Sequence, residues 1–127
     1  MNGFSHRAIG VIDSFVANLQ LPQSEAAVDG SYSFAIDNVG FLSLTPSEDG
    51  ERIIISLKRL ADRQPSTDEL LGFLKRAQFD PVIRRPVTAG MASDGGLVLA
   101  ASFDDGTLDL PTIEGCIDRL GELHNRK

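Results

Sequence analysis

An α+β fold in the order α-β-β-β-α-β-β-α, a twisted antiparallel sheet with helices packed on it, is what this sequence predicts, and three observations carry the prediction. Apolar residues recur at three- and four-residue intervals near both ends and again after the middle of the chain, the period of a helix with one buried side. Between those stretches lie short runs rich in Val, Ile, Phe and Tyr, residues that suit a pleated surface. Turn-forming groups, "PSEDG" and "SDGG", separate strand-like neighbours, so the strands pair as antiparallel hairpins.

The first helix is marked by Phe4, Ala8, Val11, Ile12, Phe15, Val16 and Leu19, which fall in one stripe, with Pro22 after it and a polar connection over Gln23 to Gly30. "YSFAIDNVGFLSLT" then reads as two strands around a polar bend. Tyr32, Phe34 and Ile36 share one face against Ser33, Ala35 and Asp37, while Phe41 lies opposite Leu42 and Leu44. "ERIIISLKRL" supplies a third strand, with Ile53, Ile55 and Leu57 on one face and Ile54 on the other beside Arg52, Ser56 and Lys58. A sheet wetted on one side would alternate more cleanly. Something covers part of the second face: a helix, a second copy of the chain or a partner polypeptide.

"QPSTDELLGFLKRAQFDP" opens on a capping box, Ser66 with Glu69, and carries Leu70, Leu71, Leu74 and Ala77 on its apolar side, widened by Phe73. Asp80-Pro81 is expected to end this helix, because the residue before proline avoids helical angles, and Phe73 and Phe79 are available to a second surface. After the linker "VIRRP", the strands "VTAGMAS" and "GLVLAASF" flank Asp94-Gly95, a dipeptide suited to a tight hairpin turn. The last helix, in "DLPTIEGCIDRLGELHNRK", places Leu110, Ile113, Cys116, Ile117, Leu120 and Leu123 at helical spacing.

The 127 residues suit a single domain, 1–127, and 12 basic against 18 acidic residues give a net charge of −6 that would repel a nucleic-acid backbone. One cysteine excludes an intramolecular disulfide framework. The N-terminal stretch lacks the basic start, solid apolar run and cleavage site of a signal peptide, and no segment is apolar enough to cross a bilayer, so a soluble cytoplasmic protein is expected. Cys116 sits on an apolar stripe without a neighbouring base and reads as packing material. His6 and His124 read as surface residues without metal-ligand spacing. "DDGTLD" (Asp104, Asp105, Asp109) reads as a turn and helix cap, "SDGG" as a hairpin turn, and Lys75, Arg76, Arg84 and Arg85 as solvated charge. Nothing assembles a nucleophile, base and oxyanion site, so no catalytic, cofactor or metal residues are assigned and a binding protein is expected rather than an enzyme.

Taken together, "YSFAIDNVGFLSL", "FLKRAQF" in place of a leucine-leucine-x-alanine-asparagine run, "AGMASDGGLVLAASF" and "LDLPTIEGCIDRL" give a chain that resembles, over nearly its whole length, the class I type III secretion chaperones, the group of the Tir chaperone. The resemblance implies an ATP-independent bacterial homodimer, without cofactor, that holds the N-terminal segment of a secreted effector extended and secretion-competent. It implies a dimer interface at or near Leu70, Leu71, Phe73, Leu74, Val87, Ala89 and Met91. Phe4, Val11, Phe15, Phe34 and Phe41 are the candidates for the effector grooves. A small ligand-binding or sensory domain of the same layout is the alternative, and an enclosed pocket would distinguish it.

Overall fold

In a computed structural model of the chain, residues 4–18, 31–36, 40–60 and 64–125 are described. Helix α1 (His6–Asn18) starts where the Ser5 hydroxyl accepts a hydrogen bond from the Ala8 amide at 3.1 Å, an N-cap. Its stripe buries Ala8, Ile12, Phe15 and Val16. Leu19, the 23–30 connection and the bend at 37–39 lie outside the described residues.

Strands β1 (Tyr32–Ile36), β2 (Gly40–Pro46) and β3 (Arg52–Arg59) form the expected meander, with Phe34 paired to Leu42 and Leu42 to Leu57. Gly40 begins β2 at φ +133°, and a Cβ there would stand 2.5 Å from the Lys58 carbonyl oxygen, so only glycine fits. Strands β5 (Arg85–Met91) and β6 (Leu97–Asp104) are the second hairpin, turned by Gly95 at φ +86°. β6 pairs with β3, setting Leu99 beside Leu57 and Ala101 beside Ile55.

Helix α2 (Thr67–Leu74) has both capping-box bonds, Glu69 amide to Ser66 Oγ at 3.2 Å and Ser66 amide to Glu69 Oε1 at 3.3 Å. It ends at Leu74, six residues short of the expected Asp80-Pro81 stop. The amides of Arg76 and Ala77 bond to the carbonyls of Phe73 and Leu74, tightening the chain out of the α-helix. Phe79 and Asp80 then pair with Pro86 and Arg85 as a two-residue strand, β4 (Phe79–Asp80). The cause is tertiary. Asp80, only 4% exposed, accepts from Arg119 Nε at 2.7 Å and from the Val82 amide at 2.9 Å. Arg84 closes the turn at φ +58°. Among the described residues the sheet therefore has six strands in the order β1-β2-β3-β6-β5-β4, and "VIRRP" is divided between that turn and the start of β5.

After a short 3₁₀ turn (Asp105–Thr107), Asp109 caps helix α3 (Leu110–Asn125) by accepting from the Thr112 amide at 2.9 Å. α3 lies on β3 and β6, and α1 lies against α3. Leu42, Leu44, Ile53, Ile55, Leu57 and Leu99 on the sheet meet Ile12, Ile113 and Leu120 on the helices, all at 0% exposure. Each such side chain is worth about 1.5–3 kcal/mol on burial. All the apolar packing is on this face. The opposite face carries the row Ser33, Ser43, Ser56, Ala100 and Thr88, and leaves Phe41 and Ile54 exposed. No helix of this chain supplies its cover among the described residues.

Candidate binding surfaces

Two apolar margins border the closed core. Along α1 and the edge strand β1, Phe4, Val11, Tyr32 and Ile36 are half-buried, packed on the core by one side only. Phe4 and Tyr32 meet ring to ring at 5.8 Å, joining the start of α1 to β1. The Ser5 amide donates to Asp105 Oδ2 at 3.1 Å, so the buried Asp105 holds this end of α1 in place. Among the described residues β1 has one neighbour, β2, and none of them pairs with its other edge.

The second margin is the flank formed by α2 and the β4–β5 turn, where α2 lies against β5. Leu71, Leu74, Phe79, Val82 and Met91 are each about half or more exposed, and all fall within residues 71–91. Leu70 and Ala89 are half-buried beside them. An apolar concentration of this kind on a small protein marks a contact surface.

The structure distributes the sequence-derived candidates unevenly. Phe15 and Phe34 are enclosed in the chain's own core, Phe4 and Val11 sit on the α1 margin, and Phe41 projects from the opposite face of the sheet, away from α1. Phe73 and Val87 are each 3% exposed and belong to the core, whereas Leu70, Leu71, Leu74, Ala89 and Met91 reach the surface of the flank. Phe73, expected to be available to a second surface, instead anchors α2. Tyr32 and Ile36, apolar in the alternation of β1, join the α1 margin, and Val82, in a stretch that reads as linker, joins the flank.

The titratable groups favour structure over chemistry. Burial, followed by the nearby Asp80 carboxylate, pushes the Cys116 thiol up to about 12, so at neutral pH it is a protonated core side chain. It borders a cavity of about 280 Å³ lined by Val82, Ile83, Phe103, Pro111 and Gly115, with Asp109 and Thr112 at its polar side. The Asp109 carboxylate is held below its ordinary range by bonds from the Thr112 hydroxyl and amide, and is spent on capping α3. Among the described residues no three His, Cys, Asp or Glu side chains converge to hold a metal ion. His124 departs from the surface role expected of it: its ring is half-buried, lies 5.6 Å from the Phe73 ring and hydrogen-bonds the Leu57 carbonyl at 2.8 Å. Nor is the basic group merely solvated, since Arg85 Nε donates to the Ser102 carbonyl at 2.7 Å and Arg76 lies over Phe73. No helix among the described residues is long and apolar enough to cross a membrane.

An open antiparallel sheet with its helices on one face and apolar side chains bare along two margins defines a small α+β protein of the one-sided-sheet class. The chain belongs to the Tir chaperone protein (CesT) family, whose model matches residues 10–123. Among solved structures it is similar to a chain of the ExsC–ExsE complex, at 17% identity and a TM-score of 0.74 over 98% of this chain and 92% of that one. It is similar also to a chain in the structure of the Yersinia pestis type III secretion chaperone SycH with a stable fragment of YscM2, at 14% identity and TM-score 0.62, covering 91% and 98%. A third is the heterodimeric ExoU–SpcU complex from the type III secretion system of Pseudomonas aeruginosa, at 22% identity and TM-score 0.60, covering 91% and 93%. At these identities the likeness establishes the fold. No curated protein matches in sequence.

Proposed function

We propose that this chain is a type III secretion chaperone: a homodimer in the bacterial cytoplasm that binds the N-terminal segment of a secreted effector and keeps it extended, without ATP, metal or catalysis. Membership of the Tir chaperone family carries the reading, supported by the similar structures of the type III secretion chaperone SycH with a fragment of YscM2 and of the HopA1–SchA chaperone–effector complex. The two margins fit the two contacts required. On the α1 side, the outer edge of β1, unpaired among the described residues, offers main-chain hydrogen bonds that depend little on sequence, and Phe4, Val11, Tyr32 and Ile36 offer apolar contacts that select the client. On the α2 flank, Leu71 and Leu74 lie between Asp68 and Glu69 at one end of the helix and Lys75 and Arg76 just past the other. That order is self-complementary in an antiparallel helix pair related by a two-fold axis.

The cavity beside Cys116, about 280 Å³, lies just below the roughly 300–1,000 Å³ of small-molecule sites, and the ligand-binding reading is decided by the same experiment. The test mixes the purified protein with N-terminal fragments of effectors encoded beside it. Calorimetry is expected to show binding with a large negative heat-capacity change, and amide exchange to show protection spread along an extended client segment. If no fragment binds while a small metabolite raises the melting temperature with its concentration, the ligand-binding reading replaces this one.

A further inference from the structure

Helix α2 is attached by little. It is eight residues long, below the length at which an isolated helix holds itself together, and Phe73 is its only buried side chain. Phe73 meets His124 of α3, which also reaches β3 through the Leu57 carbonyl. A carbonyl oxygen only accepts, so His124 Nε2 carries the proton. One imidazole thus joins α2, α3 and β3.

From this junction we propose that His124 is an acid-responsive latch for α2, uncharged when the helix is docked and releasing it when the ring takes a second proton. Among the described residues the charges that act on the ring have one sign: the Arg59 guanidinium from β3 and that of Arg76, two residues past the end of α2. On α3 itself, Leu123 is in the core and the Asn125 amide oxygen accepts from Arg59. The Phe73 ring, which would attract an imidazolium, already faces Arg76 at 5.3 Å. Burial first, then these two arginines, holds His124 below its ordinary value of 6.5, opposed by its bond to Leu57. β3 and α3 are fixed by the core, whereas α2 has a single buried anchor and runs directly into the Lys75–Arg76 turn, so α2 is the element that moves. The sign follows from linkage: docking is at full strength above the ordinary histidine value and is lost as pH falls through that value towards the depressed one.

This latch concerns the same flank as the proposed dimer, and its test is independent of that reading. Amide exchange over residues 67–74, corrected for intrinsic rates, is compared at pH 7.5 and 5.0 in the wild type, His124→Gln and the exposed-histidine control His6→Gln. Protection of α2 is expected to fall with acid by up to about tenfold per pH unit inside the window, relative to β3, and His124→Gln is expected to remove most of that dependence. Unchanged α2 protection in the wild type, or an equal fall in His124→Gln, overturns the latch. Should His124→Gln fail to fold, an NMR titration of His124 in the wild type decides: a midpoint at or above that of His6 overturns it. Light scattering at pH 7.5 reports the dimer separately, so a monomer there defeats the dimer reading and leaves the exchange result to judge the latch.

Discussion

Helices α2 and α3 both carry leucine-rich stripes over the same face of one sheet, yet α3 buries Ile113, Cys116, Ile117, Leu120 and Leu123 while α2 buries Phe73 alone. The difference is one of length and position. α3 spans 16 residues across the central strands β3 and β6, where both neighbours of each strand are present and the apolar surface is widest. α2 spans eight residues beside β5, near the edge closed only by the two-residue β4. An apolar stripe on a helix thus reports that it will be covered, and the location in the sheet decides whether the cover comes from inside the chain.

Removing an apolar side chain from each helix breaks this contrast if it is wrong. Leu120→Ala is expected to lower unfolding free energy by about 3 kcal/mol, because Leu120 is fully enclosed and the cavity cannot collapse. Leu71→Ala, at 53% exposure, is expected to change it by less than about 0.5 kcal/mol. Denaturant titrations of the two variants at low protein concentration, giving similar losses, would remove the distinction.

The boundary between the regions depends on one ion pair, Asp80 with Arg119, whose side chains are 4% and 13% exposed. Asp80→Ala removes the acceptor of Arg119 Nε and of the Val82 amide, leaving the guanidinium only its Nη1 bond to Glu122, and a loss of about 2 kcal/mol is expected. Amide exchange of residues 79–86 is expected to rise more than that of β3. Equal rises in both would mean that the pair stabilises the whole sheet and not the turn.

Cys116 sharpens the closed side of the comparison. Its thiol is raised from an ordinary 9.0 to about 12, so the folded protein is expected to resist alkylation at pH 8 and to react only on unfolding. The unfolded chain ionises first, so stability is held below pH 9 and lost as pH rises from there towards 12; Cys116→Ala is expected to flatten that limb. Rapid native alkylation would place the thiol on the surface. Leu74→Asp, half exposed on α2, is also expected to cost little stability, about 0.5 kcal/mol from the added charge near the helix C-terminus. On the proposed dimer the same change is expected to halve the mass seen by light scattering at micromolar concentration.

Much of the fold is written locally. The stripe of α1, the meander alternation around Phe34, Leu42 and Ile55, the Ser66–Glu69 capping box and the Asp94-Gly95 turn each involve residues a few positions apart, where helical and pleated periods and φ preferences act directly. The incomplete alternation on the meander likewise announced an unusual second face. The surface candidates were less legible, since Phe15, Phe34, Phe73 and Val87 are as apolar as Leu71 or Met91 and only packing separates core from surface.

The sequence by itself therefore determined the order of the three helices and the five longer strands and the buried face of α1, α3 and the meander, because those depend on spacing and side-chain type. Tertiary structure alone decided that β6 returns between β3 and β5, that Asp80 ends α2 early by pairing with an arginine 39 residues away, and that His124 joins three elements. It decided too which apolar residues stay bare. Each of these depends on groups distant in sequence meeting in a shared, poorly hydrated space, where burial and charge act together and local propensity has no access to the outcome.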